Sequence, residues 1–267
     1  MSRIKDKFFE LQQKKEKALI AYIMVGYPNE KATISAINGL VKGGADIIEL
    51  GFPFSDPIAD GPVIQNASHI SLSKGTKLDR CFQIIKKIRK ETDIPLVLMT
   101  YTNILYKKGY GNFMKKAKEA GIDGLILPDM AIEESKNYLN AARKNKLDTI
   151  FLISPNTSTQ RIKKILKATS GFLYLVSMFG TTGMQQKIQK YTIDAIKKTK
   201  KIVNKKKPLG VGFGVSTPKD SEKFVNLGVD GVIVGSAFLR LIEKTPSSKI
   251  ESKITSFTRS LKNTTRQ

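Results

Sequence analysis

Eight short runs of almost unbroken apolar residues recur along this chain every 25 to 50 residues or so, with polar, amphipathic segments between them. They are ALIAYIMVG at 18 to 26, DIIELG at 46 to 51, PLVLMTY at 95 to 101, GLILPD at 124 to 129, TIFLIS at 149 to 154, GFLYLVS at 171 to 177, PLGVGFG at 208 to 214 and GVIVGSA at 231 to 237. A strand covered on both faces needs continuous Val, Ile and Leu content, whereas a strand with one wet face alternates. The pattern is therefore a βαβ rhythm. Eight repeats in 267 residues match one closed α/β barrel, for which about 250 residues is typical. We expect a (β/α)8 TIM barrel forming a single domain over 1 to 267, with an open doubly wound sheet as the alternative that periodicity cannot distinguish.

Helix punctuation supports the same unit. Asn29 and Thr217-Pro218 read as helix starts, and Gly43-Gly44, Gly121 and Gly228 as stops just before the next strand. The phrases GGAD, AGID and LGVD repeat that stop. Extra helices are expected at both ends, because Ile4, Phe8 and Leu11, and later Ile250, Ile254, Phe257 and Leu261, keep helical spacing. The last half-dozen residues read as frayed.

Composition narrows the setting. Hydrophobic residues make up 40% of the chain, enough for a barrel core without disulfide or metal staples. The single Cys81 falls on the apolar face Cys81, Phe82, Ile84, Ile85, Ile88 and reads as core. No secretory h-region opens the chain and no run approaches a membrane span, so a cytoplasmic, reducing location is expected. The net charge of +23 raises nucleic acid as a partner, but the lysines lie on solvent faces of helices with no aromatic platform among them, which argues against it. His69 is the only histidine and reads as surface, so neither a His-based triad nor a clustered His metal site is available.

In a barrel the chemistry sits at the C-terminal ends of the strands. The second run ends IIELGFPFSDPIADGPVIQNA. Alternation puts Ile47, Glu49 and Gly51 on one side of the strand, so Glu49 faces the crowded interior, where burial raises a carboxyl's pKa towards neutrality. That suits a general acid and base, although a structural Glu paired with a buried hydroxyl or Lys fits equally. The long loop that follows carries Pro53, Pro57 and Pro62. Within it Asp60 is either a second carboxylate facing Glu49 or an Asx turn before Gly61, and Asp56 reads as a turn former.

After the seventh and eighth runs, VGFGVSTP and GSAF place small residues before helices, where barrels bind phosphate through backbone N–H groups and a helix dipole. SMFGTTGMQQK at 177 to 187 reads as a lid.

ELGFPFSDPIADGPVIQNA closely resembles the signature of tryptophan synthase α subunits, and the similarity continues in order through MTYTN, PDMAIEES, SPNTS, GTTG, GFGVSTP and VGSA. The resemblance implies a lyase that splits indole-3-glycerol phosphate into indole and glyceraldehyde 3-phosphate by retro-aldol cleavage. Glu49 falls on the family's catalytic glutamate and Asp60 on its catalytic aspartate. Tyr22, Tyr101, Tyr174 and Thr182 fall on substrate-binding positions, and Gly183, Gly212, Phe213, Gly214, Gly235 and Ser236 on the phosphate site. No metal and no cofactor are implied in this chain; pyridoxal phosphate is expected in a β subunit that receives the indole within an α2β2 complex. Met178 stands where many members carry Arg. The neighbouring indole-glycerol-phosphate synthase would require catalytic lysines in barrel strands, and no apolar run contains Lys. A non-catalytic activator of a β subunit is the second alternative, opposed by the presence of both carboxylates.

Overall fold

A computed structural model describes residues 2 to 176, 189 to 204, 206 to 212 and 214 to 266. Its sheet is wholly parallel and contains β1 (Ala18–Met24), β2 (Ile47–Gly51), β3 (Leu96–Met99), β4 (Gly124–Ile126), β5 (Asp148–Ile150), β6 (Leu152–Ile153), β7 (Leu173–Val176), β8 (Leu209–Gly212) and β9 (Gly231–Val234). The strand order is β5-β4-β3-β2-β1-β9-β8-β7-β6. Its two ends, β5 and β6, are consecutive in the chain and separated only by Phe151, whose carbonyl accepts the Tyr174 N–H at 3.0 Å. One apolar run thus pairs with β4 through its first half and with β7 through its second. The sheet closes on itself as an α/β TIM barrel, and the open doubly wound alternative falls. Nine strands replace the eight expected because the fifth run changes partner at Phe151.

The strands are buried on both faces, as their apolar content requires. Predicted helix starts hold. The Asn29 side chain accepts the Ala32 N–H, and Thr217 forms a reciprocal capping box with Asp220 ahead of the helix Pro218–Asn226. The repeated GGAD, AGID and LGVD phrases resolve into one device. Gly44, Gly121 and Gly228 take positive φ, which ends the helix without a Cβ penalty. The aspartate two residues later then accepts an N–H at the start of the preceding strand in the barrel: Asp46 from Leu19, Asp123 from Leu96 and Asp230 from Leu209, at 2.7 to 2.9 Å. Each turn therefore joins two strands at the barrel's N-terminal face.

Helices Arg3–Gln13 and Ile250–Asn263, at the two ends of the chain, add to the barrel. Ile4, Phe8, Leu11, Ile250, Ile254 and Leu261 are buried and Phe257 partly so. The C-terminal helix lies against helix Glu30–Gly43, where the missing Cβ of Gly43 makes room for Thr258. The expectation of a frayed tail is wrong. Lys262 is 3% exposed and its ammonium meets Asp46 at 2.9 Å and Glu16 at 3.0 Å, while the Thr265 carbonyl accepts the Lys17 N–H at 2.7 Å. Cys81 is fully buried, and burial pushes its thiol pKa well up. His69 is exposed. No helix among the described residues is long and apolar enough to cross a membrane.

Candidate active site

Glu49 lies mid-strand in β2, in register with Tyr22 of β1 and Val97 of β3. All three share one side of the sheet, which is the side that alternation assigned to Glu49. The carboxyl is 1% exposed, and its Oε2 is buried without a hydrogen-bond partner. Burial first, and then the neighbouring Asp60 charge, push its pKa up to about 8. At pH 7 it is mainly protonated.

Asp60 is also buried, at 4% exposure, on the ten-residue loop between β2 and helix Pro62–Ser73. Three contacts fix that loop. The Ser68 hydroxyl accepts from Phe54 N–H and donates to Phe54 carbonyl, both at 2.8 Å; Phe54 stacks on Tyr101 with ring centroids 5.1 Å apart; and the Tyr101 hydroxyl accepts the Ala59 N–H at 3.1 Å. The same hydroxyl donates to Asp60 Oδ2 at 3.0 Å, while Oδ1 is buried and unpartnered. The Asp60 side chain is therefore a second carboxylate held by a tyrosine. Burial raises its pKa to about 6, with the Tyr101 hydrogen bond opposing the rise, so it is mainly ionised at pH 7.

Tyr22, Tyr101 and Tyr174 are all buried, and all have phenol pKa values raised by burial and by Asp60, with Glu49 adding to the rise at Tyr22 and Tyr174 and Asp129 at Tyr101. They converge on the pair. Two glycines exist to admit them: a Cβ at Gly51 would overlap the Tyr22 hydroxyl, and one at Gly212 would come within 2.6 Å of the Tyr174 hydroxyl. Gly212 thus has a packing role that the sequence reading, which expected it at a phosphate site, did not include.

Gly212 closes β8, Gly214 has φ +81°, and Gly235 precedes Ser236, the first residue of helix Ser236–Glu243. A Cβ at Gly235 would stand 3.5 Å from Tyr22 Cβ, an ordinary contact, so protein packing alone does not demand glycine there. The helix N-terminus and these small residues share the barrel end that holds Glu49. Thr182, Gly183, Phe213, Met178 and the whole of the expected lid lie outside the described residues. Among the described residues no group of three or more His, Cys, Asp or Glu side chains could hold a metal.

Sequence reading passed over Phe54 and Asp129. Asp129 follows β4 and accepts from Thr102 N–H at 3.0 Å and Thr102 hydroxyl at 2.9 Å. A signal for it existed, since GLILPD ends in a charged residue at the face where barrels place their chemistry.

Comparison with known proteins adds a family. A family model described as tryptophan synthase alpha chain matches residues 8–266. Proteins described as tryptophan synthase alpha chains from Methanosarcina barkeri and Methanosarcina acetivorans are 47% and 44% identical, covering 91% and 97% of this chain and 90% and 93% of theirs. A solved Mycobacterium tuberculosis tryptophan synthase chain superposes with TM-score 0.90 at 30% identity, covering 100% of this chain and 99% of that one. A chain from the α2β2 tryptophan synthase complex of Pyrococcus furiosus gives TM-score 0.86 at 37% identity, covering 92% and 98%.

Proposed function

This chain belongs to the tryptophan synthase alpha chain family, whose members serve tryptophan synthesis, and we propose that its two buried carboxylates carry out the retro-aldol cleavage of indole-3-glycerol phosphate. The observation that carries this reading is Glu49, wholly buried and mainly neutral beside an ionised Asp60. Two carboxyl groups whose surroundings push their pKa values apart supply an acid and an anion at one pH.

The steps follow from that ordering. Neutral Glu49 gives its proton to indole C3, which leaves an indoleninium cation. Asp60 accepts a hydrogen bond from the ring N–H and stabilises the positive charge. Glu49, now a carboxylate, takes the proton from the side-chain hydroxyl. The C3–carbon bond then breaks, its electron pair returns to the ring to restore indole, and the new carbonyl leaves as glyceraldehyde 3-phosphate. Glu49 ends as it began. The indoleninium is itself the electron sink, so the chemistry asks for no cofactor from this chain, and the reaction class is a carbon–carbon lyase.

Tyr22, Tyr101 and Tyr174 form the walls of the indole pocket in this reading, and Thr182, outside the described residues, is counted with them as substrate-binding. Gly183, Gly212, Phe213, Gly214, Gly235 and Ser236 hold the phosphate, supported by the N-terminus of helix Ser236–Glu243. The partner is a pyridoxal-phosphate β subunit in an α2β2 complex; the solved Pyrococcus furiosus assembly is such a complex, and Ile58 at 79% exposed and Tyr106 at 77% offer apolar surface for docking. A cytoplasmic location belongs to the same reading, because a lone buried thiol such as Cys81 gains nothing from an oxidising compartment. The test is release of indole from indole-3-glycerol phosphate, measured with and without a tryptophan synthase β subunit. No indole in either condition overturns the assignment.

A further inference from the structure

We propose that Asp129 is a positioning residue for this reaction: from the end of β4 it caps the helix that Tyr101 begins, and so fixes where the Tyr101 hydroxyl meets Asp60. The inference rests on the cleavage reading given above and adds to it a residue from the segment after β4, whereas Glu49 lies in β2 and Asp60 in the loop that follows β2.

The need for such a residue arises from Tyr101. It is the N-cap of helix Thr102–Lys108 and makes no side-chain capping bond. Ordinary caps are short polar side chains that reach the helix's own first N–H groups. A tyrosine's only polar atom lies at the far end of a ring, and here it is engaged with Asp60 at 3.0 Å and Ala59 at 3.1 Å. The free helix end therefore needs a cap from elsewhere. Asp129 provides it: Oδ1 lies 3.0 Å from Thr102 N and 2.9 Å from Thr102 Oγ1, and Oδ2 lies 3.1 Å from the same N–H. Among the described residues Asp129 forms no ion pair, so its carboxylate is devoted to this one residue.

The consequence for the site is leverage. Anchoring Thr102 fixes the backbone at Tyr101, and the phenol oxygen stands a full ring away from that anchor, so a small backbone rotation becomes a large displacement beside Asp60. Oriented catalytic groups tolerate little; about 1 Å of misplacement can cost on the order of 100-fold in rate. The Tyr101 bond also opposes the burial that raises the Asp60 pKa, so loosening Tyr101 allows it to rise further. The other titratable groups facing Asp60 are Glu49 on β2, Tyr22 on β1 and Tyr174 on β7. Loss of the Asp129 charge by itself would act in the opposite direction, since removing an anion makes a nearby carboxyl easier to ionise. The sign of the change thus separates position from charge.

The experiment uses the full chain with Asp129→Ala, Asp129→Asn, Tyr101→Phe and the Asp129→Ala/Tyr101→Phe double variant. Asp60 ionisation is followed by carbon-13 carboxyl NMR, and kcat and KM for cleavage are measured across pH. For Asp129→Ala we expect the Asp60 titration and the acid limb of kcat/KM to move up by roughly half a pH unit, with kcat down about tenfold and KM within about twofold. Asp129→Asn, which keeps one acceptor on Thr102, should recover part of the loss, and the double variant should shift no further than Tyr101→Phe alone. An Asp60 titration that stays put or falls in both Asp129 variants, or effects that add in full in the double variant, overturns the proposal even if thermal stability drops. An upward Asp60 shift in a chain that releases no indole would instead sink the cleavage reading and leave only the hold of Asp129 on Tyr101 and Asp60 standing.

Discussion

Asp46 and Glu49 stand three residues apart, one immediately before β2 and the other within it, and both are buried. Their surroundings are opposite. Asp46, at the barrel's N-terminal face, accepts the Leu19 N–H at 2.7 Å and meets the Lys262 ammonium at 2.9 Å. Glu49 has an unpartnered oxygen, and the charge acting on it is the like charge of Asp60. Burial raises both pKa values, but at Asp46 the Lys262 cation and the Leu19 N–H oppose it, whereas at Glu49 a second acid reinforces it. One end of the barrel compensates its buried acids and gains order. The other opposes burial at Asp60 with the Tyr101 hydroxyl alone and leaves Glu49 Oε2 unpartnered, a division expected where strand C-termini carry chemistry.

The strongest way to break this comparison is Glu49→Gln. Turnover should be nearly abolished, since acid and base contributions are worth roughly 10²- to 10⁴-fold each and one residue serves two steps. Stability should move the other way. The folded Glu49 pKa of about 8 lies above the ordinary 4.5, so the folded state holds a proton that the unfolded chain releases, and the wild type loses stability as pH rises from 4.5 to 8. Thermal melts should show Glu49→Gln gaining on wild type over that window. Activity within tenfold of wild type, or a variant that loses stability at pH 8, would place Glu49 among the compensated acids. Asp60→Asn comes next, with a loss on the order of 100-fold, because an amide fills the space without stabilising a cationic ring. In the free enzyme kcat/KM should rise through about pH 6 as Asp60 ionises and fall above about pH 8 as Glu49 loses its proton. A profile flat between pH 5 and 9 would contradict both assignments.

At the other face, Lys262→Met should cost stability and spare chemistry. Removing one partner of a buried pair typically costs about 3 to 5 kcal/mol, because the remaining charge is left desolvated. With roughly 2 to 4 °C lost per kcal/mol in a chain of this size, Tm should fall by about 10 °C. The kcat of the folded fraction should remain within about twofold of wild type. A large kcat defect with unchanged Tm would mean that the two faces are not independent.

The contrast was only partly legible in the sequence. Buried parallel strands advertise themselves, so the eight runs and the inward side of Glu49 could be read from periodicity alone. The partner change at Phe151 could not, because pairing is a relation between distant strands and leaves no trace in one run. The tail misled for a related reason. KNTTRQ looks like polar fraying, yet the Thr264 hydroxyl donates to Ser221 at 2.8 Å and Lys262 is compensated by Asp46, 216 positions earlier. Asp60 was ambiguous between a turn and a carboxylate because the deciding contact, Tyr101, lies 41 residues away. Family resemblance supplied the roles of the tyrosines; it did not reveal that Gly51 and Gly212 are small because Tyr22 and Tyr174 occupy their space.

The smallest expected effect concerns the loop that joins the two kinds of surface. Within five residues it passes from exposed Asp56 and Ile58 to buried Asp60, and its Ala59 N–H donates to the hydroxyl that holds Asp60. A β subunit resting on Ile58 would therefore press on a segment already linked to the site. Pro53, Pro57 and Pro62 limit the conformations that the free loop samples, so less ordering entropy is lost on association. Asp56 touches neither carboxylate; its Oδ2 accepts the Ser55 hydroxyl at 2.5 Å on the exposed side. Asp56→Ala should leave the basal cleavage rate within about twofold of wild type and lower the β-stimulated rate several-fold, while Ile58→Ser should weaken association by about tenfold, near 1.4 kcal/mol. Equal loss of basal and stimulated activity in Asp56→Ala would make the loop merely part of the active site. Unchanged association in Ile58→Ser would move the docking surface away from it and leave the prolines with no role beyond shaping the turn that carries Asp60.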